Sequence, residues 1–491
     1  MLTLIALGLA FSAAALAQWS PAGDKIKTQW ADEINPQQVW PEYPRPIMER
    51  AEWKNLNGLW NYAIQDKGLP TPVAFDGQIL VPFAVESSLS GVGKTVTQDQ
   101  ELWYQRSFDI PKTWTGKRVL LHFGAVDWKT DVWVNGMNVG GHVGGYQPFS
   151  FDITDALKAG SNQLTLRVWD PTDKGYQPHG KQVANPNGIW YTAVTGIWQT
   201  VWLEPVNEVH ITQLRTTPDI DARQLCIEVQ TEEVSTHGLQ VEATVFDGSK
   251  QVAQSGAVNG QPILLQMPAD MKLWTPDTPH LYTLKVRLLK NGKEVDAVSS
   301  YAAMRKISVN KDEHGIWRMQ LNNKDQFQMG PLDQGWWPDG LYTAPSDEAL
   351  AYDLKKTKDL GFNMIRKHMK VEPARWYYHC DRLGMMVWQD MPSTFGAGEG
   401  NWIQRDWSTI TGSQPTDVER SYKTEWGDII SQHYNNPCIV VWTPFNECWG
   451  QFKTADIVSY TREQDATRLI NPASGGNHHQ GVGDMLDLHC Y

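Results

Sequence analysis

The sequence predicts a multidomain protein: two all-β domains, then a region of alternating strands and helices. Three observations predict it. The 491 residues exceed what one hydrophobic core sustains, which points to two to four domains. Short apolar or alternating runs separated by turn signals recur from Glu52 to about Val309. Beyond Asn310, strand-like runs and helical periods alternate strictly. That alternation calls for parallel pairing, in a β/α barrel or a doubly wound sheet.

Composition narrows the class. An apolar content of 41% with 20% charged residues is that of a globular chain. The net charge of −12 argues against nucleic acid, which needs a basic footprint. Trp is the most frequent aromatic, 24 against 16 Tyr and 13 Phe. Most of these serve as core, but the excess also suits a protein that stacks sugar rings. The five cysteines are odd in number and scattered, so they predict neither a disulfide framework nor a zinc site. Cys438 and Cys448 flank one strand and read as buried free thiols.

In chain order, residues 1–17 are apolar and end in Ala15-Leu16-Ala17, an export-signal pattern without a charged start. No other stretch approaches a membrane span, so an exported periplasmic or extracellular chain is expected. Residues 18–51 carry Pro36, Pro41, Pro44 and Pro46 and predict an extended lead-in.

Residues 52–205 hold short strands such as Gly58–Tyr62, Leu102–Tyr104, Val119–Phe123, Val132–Val134, Leu164–Trp169 and Thr200–Leu203. Asn135-Gly136 predicts a tight primed hairpin. The size and rhythm fit a β-sandwich or jelly roll. Residues 206–309 repeat the pattern, with Leu239–Phe246 and Leu281–Leu289, at the size of an immunoglobulin-like sandwich.

Residues 310–491 predict strands at Gln326–Met329, Asn363–Lys367, Met385–Trp388, Ile439–Trp442, Pro472–Ser474 and Met485–Leu488. Helices are predicted over Asp347–Leu360 behind an N-capping Ser346, Pro373–Leu383 closed by Gly384, Asp417–Tyr434 and Thr454–Arg468. A closed eight-stranded barrel needs about 250 residues. This region is shorter and ends on a strand, so a barrel incomplete at its C-terminus is expected. Such open sheet edges predict poor stability for the isolated chain.

In a β/α barrel the reactive groups stand at C-terminal strand ends. There the sequence places Asp333, Arg366, His368, Asp390, Asn446, Glu447, Trp449, Asp487, His489 and Tyr491. Glycoside hydrolysis needs two carboxyls, about 5 Å apart where configuration is retained. Glu447 fits the acid, and flanking aromatics are expected to desolvate it and raise its pKa. For Asp390 the competing reading is a buried carboxylate held by Arg366. His368 and Asp333 also suit structural roles.

In this domain order the chain resembles glycoside hydrolase family 2, the family of β-galactosidases, β-glucuronidases and β-mannosidases. Leu56-Asn57-Gly58-Leu59-Trp60 and Val194-Thr195-Gly196-Ile197-Trp198-Gln199 resemble the start and close of its sugar-binding jelly roll. Asn363-Met364-Ile365-Arg366-Lys367-His368 and Phe445-Asn446-Glu447 resemble its (β/α)8 TIM-barrel signatures. The resemblance implies that Glu447 is the acid/base, that Asn446 holds the sugar's 2-hydroxyl and that Arg366 braces the nucleophile. It implies that Asp170 reaches the pocket from the jelly roll, and that Tyr491 belongs to the pocket.

Two departures stand out. The family's nucleophile is a Glu after the seventh strand, and no residue here matches it. Met391-Pro392-Ser393-Thr394-Phe395-Gly396 lacks the Glu and His that bind magnesium in some β-galactosidases, so no such metal and no cofactor are expected. His368 sits one place off the usual Arg-x-x-His spacing. The expectation is an exported retaining β-glycosidase, β-galactosidase-like. The alternatives are a non-catalytic carbohydrate-binding protein and a β-sandwich scaffold.

Overall fold

The computed structural model describes residues 19–232, 238–392, 415–476 and 478–491. The predicted export signal and residues 393–396 lie outside them.

The first domain is built on two antiparallel sheets. Gly77–Val81, Gly58–Asp66, Gln100–Asp109, Ser161–Trp169, Lys129–Val134 and Met137–Val143 lie side by side in one. Lys54–Asn55, Val201–Val206, Arg118–Phe123 and Phe149–Asp152 form the other. Alternate residues such as Leu102, Tyr104, Leu121, Phe123, Leu164 and Leu166 point into the shared core. Asn135 and Gly136 have φ of 53° and 83°, the left-handed pair that a type I′ hairpin requires.

The second domain is a sandwich of a three-stranded sheet, Ile211–Asp219, Gln224–Thr231 and Ile263–Gln266, and a four-stranded sheet. The latter orders Lys250–Val258, Leu239–Asp247, Tyr282–Lys290 and Lys293–Ala302. A small antiparallel sheet, Ile307–Lys311, Trp317–Leu321 and Lys324–Asp325, leads out of it.

The third region is a parallel sheet of five strands among the described residues. In sequence and spatial order they are Leu332–Asp333, Met364–Lys367, Met386–Asp390, Ile439–Thr443 and Leu469–Ile470. Helices Asp347–Asp359, Ala374–Leu383, Pro415–His433 and Thr454–Gln464 lie between or beside them. Local chemistry sets their ends. Ser346 Oγ accepts the Ala349 N–H at 3.2 Å, and Gly384 ends its helix in the left-handed conformation at φ 73°.

Three predicted strands are corrected. Gln326–Met329 is not a strand, because the Asn363 side chain binds the Phe327 carbonyl and the Met329 N–H (2.8 and 2.9 Å) and replaces a ladder. The first parallel strand is instead Leu332–Asp333. Pro472 cannot donate to a ladder, and the fifth strand falls at Leu469–Ile470, leaving Ser474 a single bridge to Asn446. Met485–Leu488 is irregular, and only isolated bonds such as Gly475 N–H to Asp487 O (3.3 Å) tie it in.

The lead-in is extended apart from one 3-10 turn, Gln29–Glu33, and it ties the parts together. Thr28 donates twice to Asp339 at 2.7 Å, and Trp30 and Trp40 join the core of the parallel-sheet region. Asp381 fixes the start of the Ile439–Thr443 strand. It accepts the Cys438 N–H (2.8 Å), the Asn436 amide (2.8 Å) and the Tyr301 hydroxyl of the second domain (2.7 Å). All five cysteines are free; Cys438 is buried, whereas Cys448 is only half-buried. No helix of the described residues is long and apolar enough to cross a membrane.

Candidate active site

The site grows from three adjacent parallel strands. Ile439–Thr443 is buried at every residue, because each face of a parallel sheet is covered. Its exit carries Asn446 and Glu447 into the mouth. Glu447 and Cys448 have φ of 49° and 66°, a conformation that non-glycine residues adopt at a cost. Bonds hold them there: Glu447 N–H to Ser474 O at 2.8 Å, and Trp449 N–H to Asn446 O at 2.9 Å. Strain of this kind concentrates at functional sites.

Arg366 is the hub. Its Nε and Nη2 reach the two oxygens of Asp390 at 3.0 and 2.9 Å, and Nη2 also donates to Asn446 Oδ1 at 2.8 Å. Asn446 in turn donates to Glu447 Oε2 at 3.3 Å. His368 Nδ1 lies 2.7 Å from Asp390 Oδ2. Burial works to raise the Asp390 carboxyl, but Arg366 and His368 hold it below the ordinary carboxylate range. Burial also lowers the His368 pKa, against the pull of Asp390. Asp390 is thus the buried carboxylate held by Arg366, and His368 completes its shell.

Glu447 is gripped from the C-terminal segment. His489 Nδ1 stands 2.8 Å from its Oε1, and the Tyr491 hydroxyl donates to the same oxygen. The expected rise of its pKa is therefore corrected. Burial does push it up, but the bonds from Tyr491, His489 and Asn446 outweigh burial and leave it lowered. The mouth is more polar than the tryptophan-rich sequence implied. His489 is also 2.9 Å from Ser474 Oγ, and Asp487 accepts from Asn471 and Ser474.

Two predicted site residues stand apart. Asp333 pairs with Lys367 at 2.7 Å and caps the Gly335 N–H, in an ion cluster with Glu372 and Lys370. Asp170 is buried inside the jelly roll, bonded to Thr195 Oγ1 (3.0 Å) and Thr172 N–H (2.6 Å). Its hydrogen bonds are to jelly-roll residues. It ties together the two ends of the loop formed by residues 170–195.

That loop, residues 170–195, was missed in the sequence. Its Trp190 stacks on Trp449 with ring centroids 4.9 Å apart, and Lys181 Nζ lies 5.2 Å from the Trp449 ring. Tyr191 stacks on Trp336 at 4.4 Å. The available signal was length: a connection this long within a sandwich is usually functional. Among the described residues no group of three or more His, Cys, Asp or Glu side chains is placed to hold a metal.

With this geometry in view, the likeness to known proteins falls into place. "Glycosyl hydrolases family 2, sugar binding domain" matches residues 53–204, "Glycosyl hydrolases family 2" residues 209–305, and the family's "TIM barrel domain" residues 343–489. A putative β-glucuronidase of Formosa agariphila is 28% identical, over 84% of this chain and 48% of its own length. A β-galactosidase of Thermoanaerobacter pseudethanolicus is 26% identical, over 69% of this chain and 44% of its own. The β-glucuronidase of Canis lupus familiaris is 25% identical, over 91% and 72%. The chain thus spans about half the length of the first two. A β-D-glucuronidase structure from Dictyoglomus thermophilum shares the fold, with TM-score 0.70 and 20% identity over 87% of this chain and 73% of its own. Its three domains, each matching the corresponding domain of one family in the same order, establish that the chain belongs to glycoside hydrolase family 2.

Proposed function

We propose that the chain is the acid/base-bearing part of a retaining β-glycosidase. One observation carries this reading: Arg366, Asn446 and Glu447 converge, hydrogen-bonded, at the C-terminal ends of adjacent parallel strands. Glu447 protonates the leaving oxygen and later takes a proton from water. Asn446, oriented by Arg366, holds a hydroxyl of the sugar. Asp390 and Asp487 are each engaged by structural partners, so neither is assigned as nucleophile. No described residue is assigned as the nucleophilic carboxylate. The substrate is a terminal β-glycoside. The sequence reading favours a β-galactoside, and the names of the relatives add β-glucuronides.

The test is hydrolysis of aryl β-galactosides and β-glucuronides by the protein extended through the remaining strands. Glu447→Gln is expected to lower kcat/KM by about 10²–10⁴-fold. Full activity in that variant, or inertness of the extended enzyme on every glycoside, overturns the reading. Export is proposed from residues 1–17 alone, and N-terminal sequencing of secreted protein checks it. One observation favours a second reading, a sugar-binding protein without turnover: His489 and Tyr491 both occupy Glu447 Oε1. Binding of glycosides with no hydrolysis by the extended protein would support it.

A further inference from the structure

The jelly roll places one unusual cation at the barrel mouth. Lys181 is only 6% exposed. Among the described residues its ammonium has no hydrogen-bond acceptor and no ion-pair partner, yet it is not sealed from solvent. The other buried lysines of the region are different. Lys367 binds Asp333 and Glu372 at 2.7 and 2.8 Å. Lys370 binds Glu372 at 3.0 Å and the carbonyls of Gly335 and Tyr342 at 2.6 and 2.8 Å.

What holds Lys181 is aromatic. Its Nζ lies 5.2 Å from the Trp449 ring and 5.8 Å from the Trp190 ring. Such contacts stabilise a cation by less than burying an ion costs. Burial pushes its pKa down, and Glu447 draws it back up. Its charge also lowers the His368 pKa. The ammonium is therefore close enough to act on both Glu447 and His368, across the mouth. Glu447 acts on it without forming an ion pair, and the Glu447 carboxylate is bonded instead to His489 and Tyr491.

A largely buried cation that rests against two aromatic rings, with no hydrogen-bond acceptor or ion-pair partner among the described residues, is complementary to an anion on the ligand. We propose that Lys181 binds an anionic substituent, a carboxylate or a sulfate, of the sugar at the Glu447 mouth, and so selects acidic over neutral β-glycosides. This rests on the reading of that mouth as a glycoside site. It makes the jelly roll a determinant of specificity, acting on a sugar processed by the barrel.

The test needs binding, not turnover. Tryptophan fluorescence of the 491-residue protein is titrated with methyl β-D-glucuronide, methyl β-D-galactoside 6-sulfate and neutral methyl β-D-galactoside. At least one anionic glycoside is expected to bind about 10-fold or more tighter than the neutral one, a difference of about 1.4 kcal/mol. The arm that gains identifies carboxylate or sulfate. Lys181→Met should bring that ratio close to one, and Lys181→Arg should restore part of it. Unchanged melting of Lys181→Met confirms that it folds; if it melts early, loss of the preference on raising salt in the wild type replaces it. If the neutral glycoside binds, Asn446→Ala removes it and the anions gain nothing, the Lys181 assignment falls and the glycoside site stands. If none of the three binds, both fall.

Discussion

Nδ1 of His489 lies 2.8 Å from Oε1 of Glu447, so the last turn of the described chain closes on the residue best suited to be the acid. The Tyr491 hydroxyl reaches the same oxygen. Together they keep the resting Glu447 ionised, with its pKa lowered although burial opposes this. In the proposed role of general acid Glu447 must be protonated, and these bonds oppose that.

Tyr491→Phe and His489→Ala are therefore each expected to raise the Glu447 pKa, because each removes a bond that holds it down. Because the folded-state pKa is lowered, the Glu447 contacts stabilise the fold above the ordinary carboxylate pKa, and that stability is lost as pH falls through the folded value. Both variants should melt earlier than the wild type at neutral pH and converge with it in acid. Carboxyl-carbon NMR titration checks the pKa directly; an unmoved Glu447 resonance would sink the prediction.

Arg366→Met leaves Asp390 buried and half-paired. Removing one partner of a buried ion pair costs about 3–5 kcal/mol. Urea unfolding should show that loss, and a change under about 1 kcal/mol would mean that Asp390 finds other partners. Glycoside binding should weaken as well, because Asn446 loses the donor that orients it.

Glu86 lies fully buried in the jelly roll, accepts the Thr195 N–H at 2.9 Å and has its pKa pushed up to about 8 by burial. A raised carboxyl pKa means the fold holds a proton that the unfolded chain releases, so stability falls as pH rises from about 4.3 toward 8. Glu86→Gln keeps the shape and removes the titration. It should match the wild type near pH 4 and exceed it by a few kcal/mol above about pH 8, because a tenfold change in proton affinity corresponds to about 1.4 kcal/mol. Melting curves at both ends decide it; parallel curves would refute it.

Asp381→Ala removes one acceptor from three buried donors, on Cys438, Asn436 and Tyr301. Each orphaned donor costs about 1–3 kcal/mol. The variant should lose about 3 kcal/mol or more and loosen the contact between the second domain and the barrel. Faster hydrogen exchange along Ile439–Thr443 is the expected signature, and native protection there would contradict it.

Much of the architecture could be read from the sequence because its signals are local. Alternation along Leu164–Trp169, the Asn135-Gly136 turn and the Ser346 cap depend on neighbours a few residues away. The strands at the end of the chain could not be read this way. Gln326–Met329 has a strand-like pattern, but the distant Asn363 side chain takes its hydrogen bonds. Pro472–Ser474 fails for another reason: Pro472 has no N–H for a ladder, and Leu469–Ile470 pairs with the preceding strand instead.

For the site, the sequence by itself determined which residues stand at the strand ends, since strand polarity carries Arg366, Asp390, Asn446 and Glu447 to one side. Only the tertiary structure decided their charge states and their company. Electrostatics depends on distances between residues far apart in the chain, and periodicity does not contain those distances. Thus Asp390 became a locked structural carboxylate, Glu447 a lowered rather than a raised one, and Lys181, from another domain, the cation over Trp449.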